Sequence, residues 1–170
     1  MAKLAVELAG VKFKNPICTA SGTCGFGREL SQFFDLSRLG GIFAKGTTLE
    51  ARPGNAWPRV AECTAGMLNA IGLQNVGIDR VKETDLPWLV RHDLAVFVNI
   101  AGYRSDDFAE VAARLDGFPG LAGIELNISC PNVEEGLTFG STAKGAAEVV
   151  SKVRKRTSLP LFTKLSPNVT

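Results

Sequence analysis

Along the chain, short apolar runs of strand length alternate with longer stretches in which apolar residues recur every three or four positions. The runs are 16–20 (PICTA), 41–46 (GIFAKG), 95–100 (AVFVNI), 123–129 (GIELNIS) and 160–165 (PLFTKL), and their β-branched and apolar content predicts strands. After a Ser105-Asp106-Asp107 start, Phe108, Val111, Ala112 and Leu115 follow helical spacing, and Ala143, Ala146, Ala147, Val150 and Val153 do so again. Stripes of this kind face a core and carry no chemistry of their own. Ahead of the first run, LAVEL and VKFK flank Ala9-Gly10, the pattern of a small hairpin able to cap one end of a sheet.

Strands that alternate with helices require right-handed crossovers in a parallel sheet, either open or closed into a barrel. Side-chain parity separates the two. In GIELNIS, Ile124, Leu126 and Ile128 point one way while Glu125, Asn127 and Ser129 point the other. The same parity puts Lys45, Asn99 and Lys164 at or near the ends of their runs, so polar side chains finish four strands at one end. That convergence favours a (β/α)8 TIM-barrel-type site over a Rossmann sheet, and no G-x-G-x-x-G follows any run. A whole barrel takes about 250 residues. The expectation is therefore one domain over residues 1–170, comprising the amino-terminal hairpin and about the first five β/α units, incomplete at its carboxyl end. Strands one and five would be open edges, inviting swapping, self-association or a complementary piece.

Composition narrows the function classes. With 170 residues, 45% hydrophobic and 21% charged, the chain has the make-up of a soluble globular protein. Its net charge of +2 is small and its basic residues are scattered, which argues against nucleic acid or an anionic membrane as main partner. The run KVRKR at 152–156 reads as the solvated end of a helix. No apolar run approaches the ~18 residues of a membrane span and no secretory leader is recognisable, so the cytoplasm is expected. The four cysteines are too irregularly spaced for a disulfide framework and no C-x-x-C suggests a metal site. The single histidine, His92, lies in a polar RHD segment where a surface role is expected.

The candidate chemistry centres on NISCPN. Cys130 has a thiol with an ordinary pKa near about 8.5, able to act as base or nucleophile once the thiolate is favoured. Pro131 stiffens the turn that presents it. Asn127 and Asn132 each offer a carbonyl and an amide, suited to a planar ligand with alternating N–H and C=O groups such as a pyrimidine. Lys45 and Lys164 at neighbouring strand ends suit an anionic ligand or a cofactor that gains negative charge, as a flavin does on reduction. The small, glycine-rich loop 20–27 (ASGTCGFG) could lie under a flat ring or be an ordinary tight turn. Residues 67–75 (MLNAIGLQN), after the proline-interrupted 52–60, exceed a minimal connection, so Asn69 and the backbone near Gly72 are placed to close over a ligand. Plainer roles stand beside these: Lys45 and Lys164 as partners of Glu125 or another acid inside the barrel, Asn69 and Asn99 as turn caps, and Cys18, Cys24 and Cys63 as structural cysteines.

ASGTCG, AKGTT, GMLNAIGLQN, VNIAG, LNISCPN and TKLSPN, in this order and at these separations, resemble dihydroorotate dehydrogenase. The resemblance runs over the whole chain and covers the amino-terminal part of that family's FMN-binding barrel. The cysteine of NISCPN is similar to class 1, because membrane-linked class 2 enzymes carry a serine base. NAIGLQN resembles class 1B, the NAD-linked branch, whose homodimeric barrel subunit works in a heterotetramer with a subunit carrying FAD and an iron–sulfur (2Fe-2S) cluster. The resemblance implies oxidation of dihydroorotate to orotate in pyrimidine biosynthesis, with Cys130 taking the C5 proton while C6 delivers hydride to FMN. It further implies that Lys45, Asn69, Ala70, Ile71, Gly72, Leu73, Asn127 and Asn132 hold the substrate. Ser21, Lys45, Gly46, Asn99, Asn127 and Lys164 would contact the flavin, and residues 133–140 would form a loop closing over Cys130. In barrels of this type the cofactor phosphate lies on loops after strands seven and eight. The alternatives are another FMN barrel acting on a pyrimidine, similar to the dihydrouridine synthases, and a cofactor-free inactive fragment.

Overall fold

The computed structural model describes residues 4–129 and 139–166. It opens with β1 (Val6–Leu8) and β2 (Val11–Phe13), an antiparallel hairpin in which Leu8 pairs with Val11. Ala9 and Gly10 both have positive φ, 51° and 78°, the left-handed pair that a two-residue hairpin needs to match strand twist. β3 (Cys18–Thr19) and β4 (Gly41–Phe43) follow, joined by short 3-10 turns at Leu30–Gln32 and Leu36–Arg38. Next come β5 (Val60–Cys63) and β6 (Gly66–Asn69), a second antiparallel hairpin whose residues are all exposed. Helical residues then run through α1 (Ile78–Arg80), a π turn (Val81–Asp85) and α2 (Leu86–Leu89). β7 (Ala95–Ile100), α3 (Ser105–Leu115), β8 (Leu121–Asn127), α4 (Ala143–Arg154) and β9 (Leu161–Lys164) complete the order.

Five strands form one parallel sheet in the order β3-β4-β7-β8-β9, the consecutive arrangement of a β/α barrel opened into a half. Its outer face is covered by helices, and its inner face is covered in part. On the outer face Ile42, Val96, Val98, Ile100, Ile124 and Leu126 are fully buried against Phe108, Val111 and Leu115 of α3 and Val149 and Val153 of α4. On the inner face Phe97 lies with Val11 and Phe13 of the first hairpin, so β2 does cap one end of the sheet. The start of α3 is fixed by Asp107, whose carboxylate accepts from the backbone N–H groups of Tyr103 and Arg104 at 3.0 and 2.9 Å.

Several boundaries differ from the sequence pattern. The first strand is two residues long, and β4 stops at Phe43 because the backbone N–H of Lys45 leaves the sheet to donate to Gly25 O at 2.9 Å. Residues 66–69, expected in a loop, form a strand of the exposed hairpin. The helical stretch at 78–89 has buried Ile78, Val81, Leu86 and Leu89, a spacing broken between Val81 and Leu86 by the π turn. Pro87 lacks the N–H that would continue the regular ladder there. His92 is half-buried, its ring tilted against Trp88 at 4.6 Å, at the end of the sheet opposite the strand carboxyl ends. No helix among the described residues is long and apolar enough to cross a membrane.

Candidate active site

The inner face of the sheet changes character within one step of the pleat. Its lower layer is aromatic: Phe43 stacks on Phe97 with ring centroids 4.4 Å apart, and Phe162 stands edge-on to Phe97 at 5.1 Å. Gly123 occupies the remaining place, where a Cβ would come within 2.8 Å of the Phe97 ring and 2.7 Å of Pro160 O. Two residues further along each strand the same face turns polar: Phe43 gives way to Lys45, Phe97 to Asn99, Gly123 to Glu125 and Phe162 to Lys164. Asn127 stands two positions beyond Glu125 and pairs in register with Lys164.

These polar ends line a cavity of about 210 Å³. From the sheet side it is bounded by Lys45, Gly46, Asn99, Asn127 and Lys164, and from the first β/α loop by Ser21 and Gly22. Asn69, Ile71, Gly72 and Leu73 close it from the arm that follows the exposed hairpin. Lys164 Nζ donates to Ser21 Oγ at 2.9 Å, linking the last described strand to the loop after the first. Asn99, 1% exposed, donates from Nδ2 to Glu125 Oε2 at 2.5 Å, and Ser129 Oγ lies 3.3 Å from Asn127 Oδ1. Among the described residues Glu125 forms no ion pair with Lys45 or Lys164, so the plainer role for those lysines finds no contact in the structure.

The arm is held by a residue that the sequence pattern did not single out. Asn75, buried, donates from Nδ2 to Leu73 O at 2.8 Å and to Thr48 Oγ1 at 2.9 Å, while its Oδ1 accepts from Thr48 N and Gly77 N at 3.2 and 2.9 Å. Gly72 and Leu73 both have positive φ, 73° and 54°, a strained state for leucine that this anchoring maintains. Thr47 N in turn donates to Asn99 O at 2.9 Å, which ties the segment that anchors the arm to the end of β7. The signal was present in the sequence as an asparagine two residues before Gly77, the pattern of an Asx turn.

Most of the expected site residues thus meet at one place. Ala70 does not reach the cavity wall; its backbone pairs with Arg59 O and with the Asn55 side chain. Cys130 and Asn132 lie outside the described residues. Cys18 belongs to the lower layer, where burial pushes its thiol up and away from reactivity. Cys24 lies 3.3 Å from Thr19 Oγ1, and Cys63 is exposed on the hairpin.

A parallel β/α half-barrel with polar side chains converging at the strand carboxyl ends is the arrangement in which β/α barrels place their sites. The chain matches the dihydroorotate dehydrogenase family model over residues 3–170, and it belongs to that family. It is 52% identical over 171 residues to the catalytic subunit of dihydroorotate dehydrogenase B (NAD(+)) from Anoxybacillus flavithermus, covering 100% of this chain and 55% of that protein. The corresponding subunit from Geobacter sp. (strain M21) is 51% identical over 168 residues, covering 98% of this chain and 55% of the relative. The chain therefore spans about half the length of the curated relatives it matches. A crystal structure of DHODH from Eimeria tenella in complex with ferulenol superposes with a TM-score of 0.78 at 19% identity, over 99% of this chain and 53% of that one, and shows the same fold.

Proposed function

We propose that this chain forms one domain that supplies the ring-binding part of an FMN-dependent dihydroorotate dehydrogenase, oxidising dihydroorotate to orotate in pyrimidine biosynthesis. The observation that carries the reading is the convergence of Ser21, Lys45, Asn99, Asn127 and Lys164 with the 69–73 arm around one cavity, above an aromatic layer.

The donor set suits a flavin beside a small anionic heterocycle. Lys45 and Lys164 bring two cations without acidic partners among the described residues, and Asn99 and Asn127 bring amides able to read alternating N–H and C=O groups. When bound, FMN supplies the acceptor for the hydride that leaves C6 of dihydroorotate. Lys164, steadied by Ser21, would hold the flavin and supply positive charge that favours its reduced form. Lys45 and the amides around the cavity hold the substrate carboxylate and ring edge, and the arm anchored by Asn75 keeps water from that edge. Cys130 takes the C5 proton as its thiolate, so proton and hydride leave adjacent carbons and the new double bond forms between them. The relatives' names describe a catalytic subunit of an NAD(+)-linked enzyme. By extension, a partner carrying FAD and an iron–sulfur cluster would pass the electrons on, within a heterotetramer built on a homodimer of this chain in the cytoplasm.

Dihydroorotate oxidation, measured with and without added FMN beside the oligomeric mass, tests the reading. FMN-dependent turnover that falls in Cys130→Ser and recovers toward alkaline pH is the expected result, because a hydroxyl ionises far less readily than a thiol. A Cys130→Ser variant with an unchanged pH–rate profile removes Cys130 as the base.

A further inference from the structure

Glu125 has no role in the reading above, yet it is built into the same polar layer. It is the register partner of Asn99 across β7 and β8, and its Oε2 accepts Asn99 Nδ2 at 2.5 Å. A side-chain amide can be turned either way, and its partner decides which. A carboxylate only accepts, so the NH2 of Asn99 must face Glu125 and Oδ1 must face away. Oδ1 then points toward Gly46, where a Cβ would stand 3.0 Å from it. No described residue donates to this oxygen, although Asn99 is 1% exposed. Asn99 and Gly46 both line the cavity, so an acceptor with no donor among the described residues faces whatever fills it.

We propose that Glu125 is a positioning residue. By holding Nδ2 it keeps the Asn99 carbonyl turned to the cavity, and the site selects a ring edge that presents an N–H there over one that presents a C=O. Turning the amide would set its carbonyl oxygen against the carboxylate, replacing a charge-assisted hydrogen bond by the contact of two acceptors. The identity of the ring rests on the flavin reading: oxidised isoalloxazine carries one N–H, at N3, and so offers one such edge. The orientation of Asn99 does not depend on it.

A double-mutant cycle on the full chain, read by FMN fluorescence titration with a melting curve for each variant, separates positioning from direct contact. With Asn99 present, Glu125→Leu is expected to weaken FMN binding about tenfold or more, as loss of a charge-assisted hydrogen bond does. Glu125→Gln, whose amide oxygen still accepts from Nδ2, should stay within about threefold. With Asn99→Ala in place, Glu125→Leu should change affinity by less than about twofold. Equal losses in both backgrounds overturn the proposal. The second readout needs no ligand: in nuclear magnetic resonance spectra the Asn99 side-chain amide proton, assigned by its absence in Asn99→Ala, should lie downfield and return to an ordinary position in Glu125→Leu. A resonance unmoved by Glu125→Leu overturns the positioning role. A resonance that moves in a protein that binds no FMN upholds that role and counts against the flavin reading instead.

Discussion

The aromatic layer and the polar layer of the inner face are one pleat step apart and have opposite dependences. Phe97, fully buried between Phe13 and Phe43 and edge-on to Phe162, contributes through apolar area and packing, and Gly123 leaves room for its ring and for the Pro160 carbonyl. Lys45, Asn99, Asn127 and Lys164 bury less apolar surface and keep charge and hydrogen-bonding capacity directed at a cavity. The same four strands therefore carry apolar packing at one level and polar side chains facing a cavity at the next. A substitution in the lower layer should unfold the protein, whereas one in the upper layer should leave it folded and unable to bind.

The largest expected effect tests the lower layer. Phe97→Ala removes a ring stacked at 4.4 Å on Phe43, and a loss of about 3–5 kcal/mol is expected in denaturant unfolding. A loss below about 1 kcal/mol would mean that the aromatic layer is not a structural unit. Next in size is Asn75→Ala. It leaves Leu73 O, Thr48 N and Gly77 N without the Asn75 side chain they bond to, for about 1–3 kcal/mol, and limited proteolysis should then cut within the 69–75 arm first. Cutting at the same sites and rate as in the wild type would show that the arm is held by something else.

How far all this was legible in the sequence follows the same division. β7 matches its apolar run residue for residue and α3 follows its stripe, because each buries one continuous face at the regular period. By contrast, α4 buries Val149 and Val153 and leaves Ala143 and Ala147 of the expected stripe exposed. The parity of the strand ends located Lys45, Asn99, Asn127 and Lys164 at one cavity, since alternation is enforced wherever both sheet faces are packed. The helical stretch at 78–89 was not legible because its π turn breaks the 3.6-residue period. The hairpin of β5 and β6 was hidden for another reason: it is exposed on all sides and so leaves no burial pattern to read. Asn75 and Glu125 act through other residues, and such roles appear only when contacts are known.

The smallest expected effect lies away from both layers. Asp116, just after α3, accepts from Ser158 N at 2.8 Å and from the hydroxyls of Thr157 and Ser158, and these bonds hold its carboxyl below the ordinary range. A lowered folded-state pKa adds stability above the unfolded value, and that stability is lost as pH falls through the folded one. The difference in melting temperature between wild type and Asp116→Asn should therefore be present at neutral pH and vanish in acid. A difference that is constant across that range would assign the effect to geometry rather than charge.

The measurement that tests the central claim most directly is FMN titration of the wild type beside Lys164→Met, followed by flavin fluorescence and by thermal melting. Lys164 donates to Ser21 across the cavity mouth, so the account predicts saturable binding by the wild type, weakened about tenfold or more in Lys164→Met, with melting temperatures that agree within a few degrees. Equal affinity in the two proteins, or no flavin binding by a folded wild type, contradicts it.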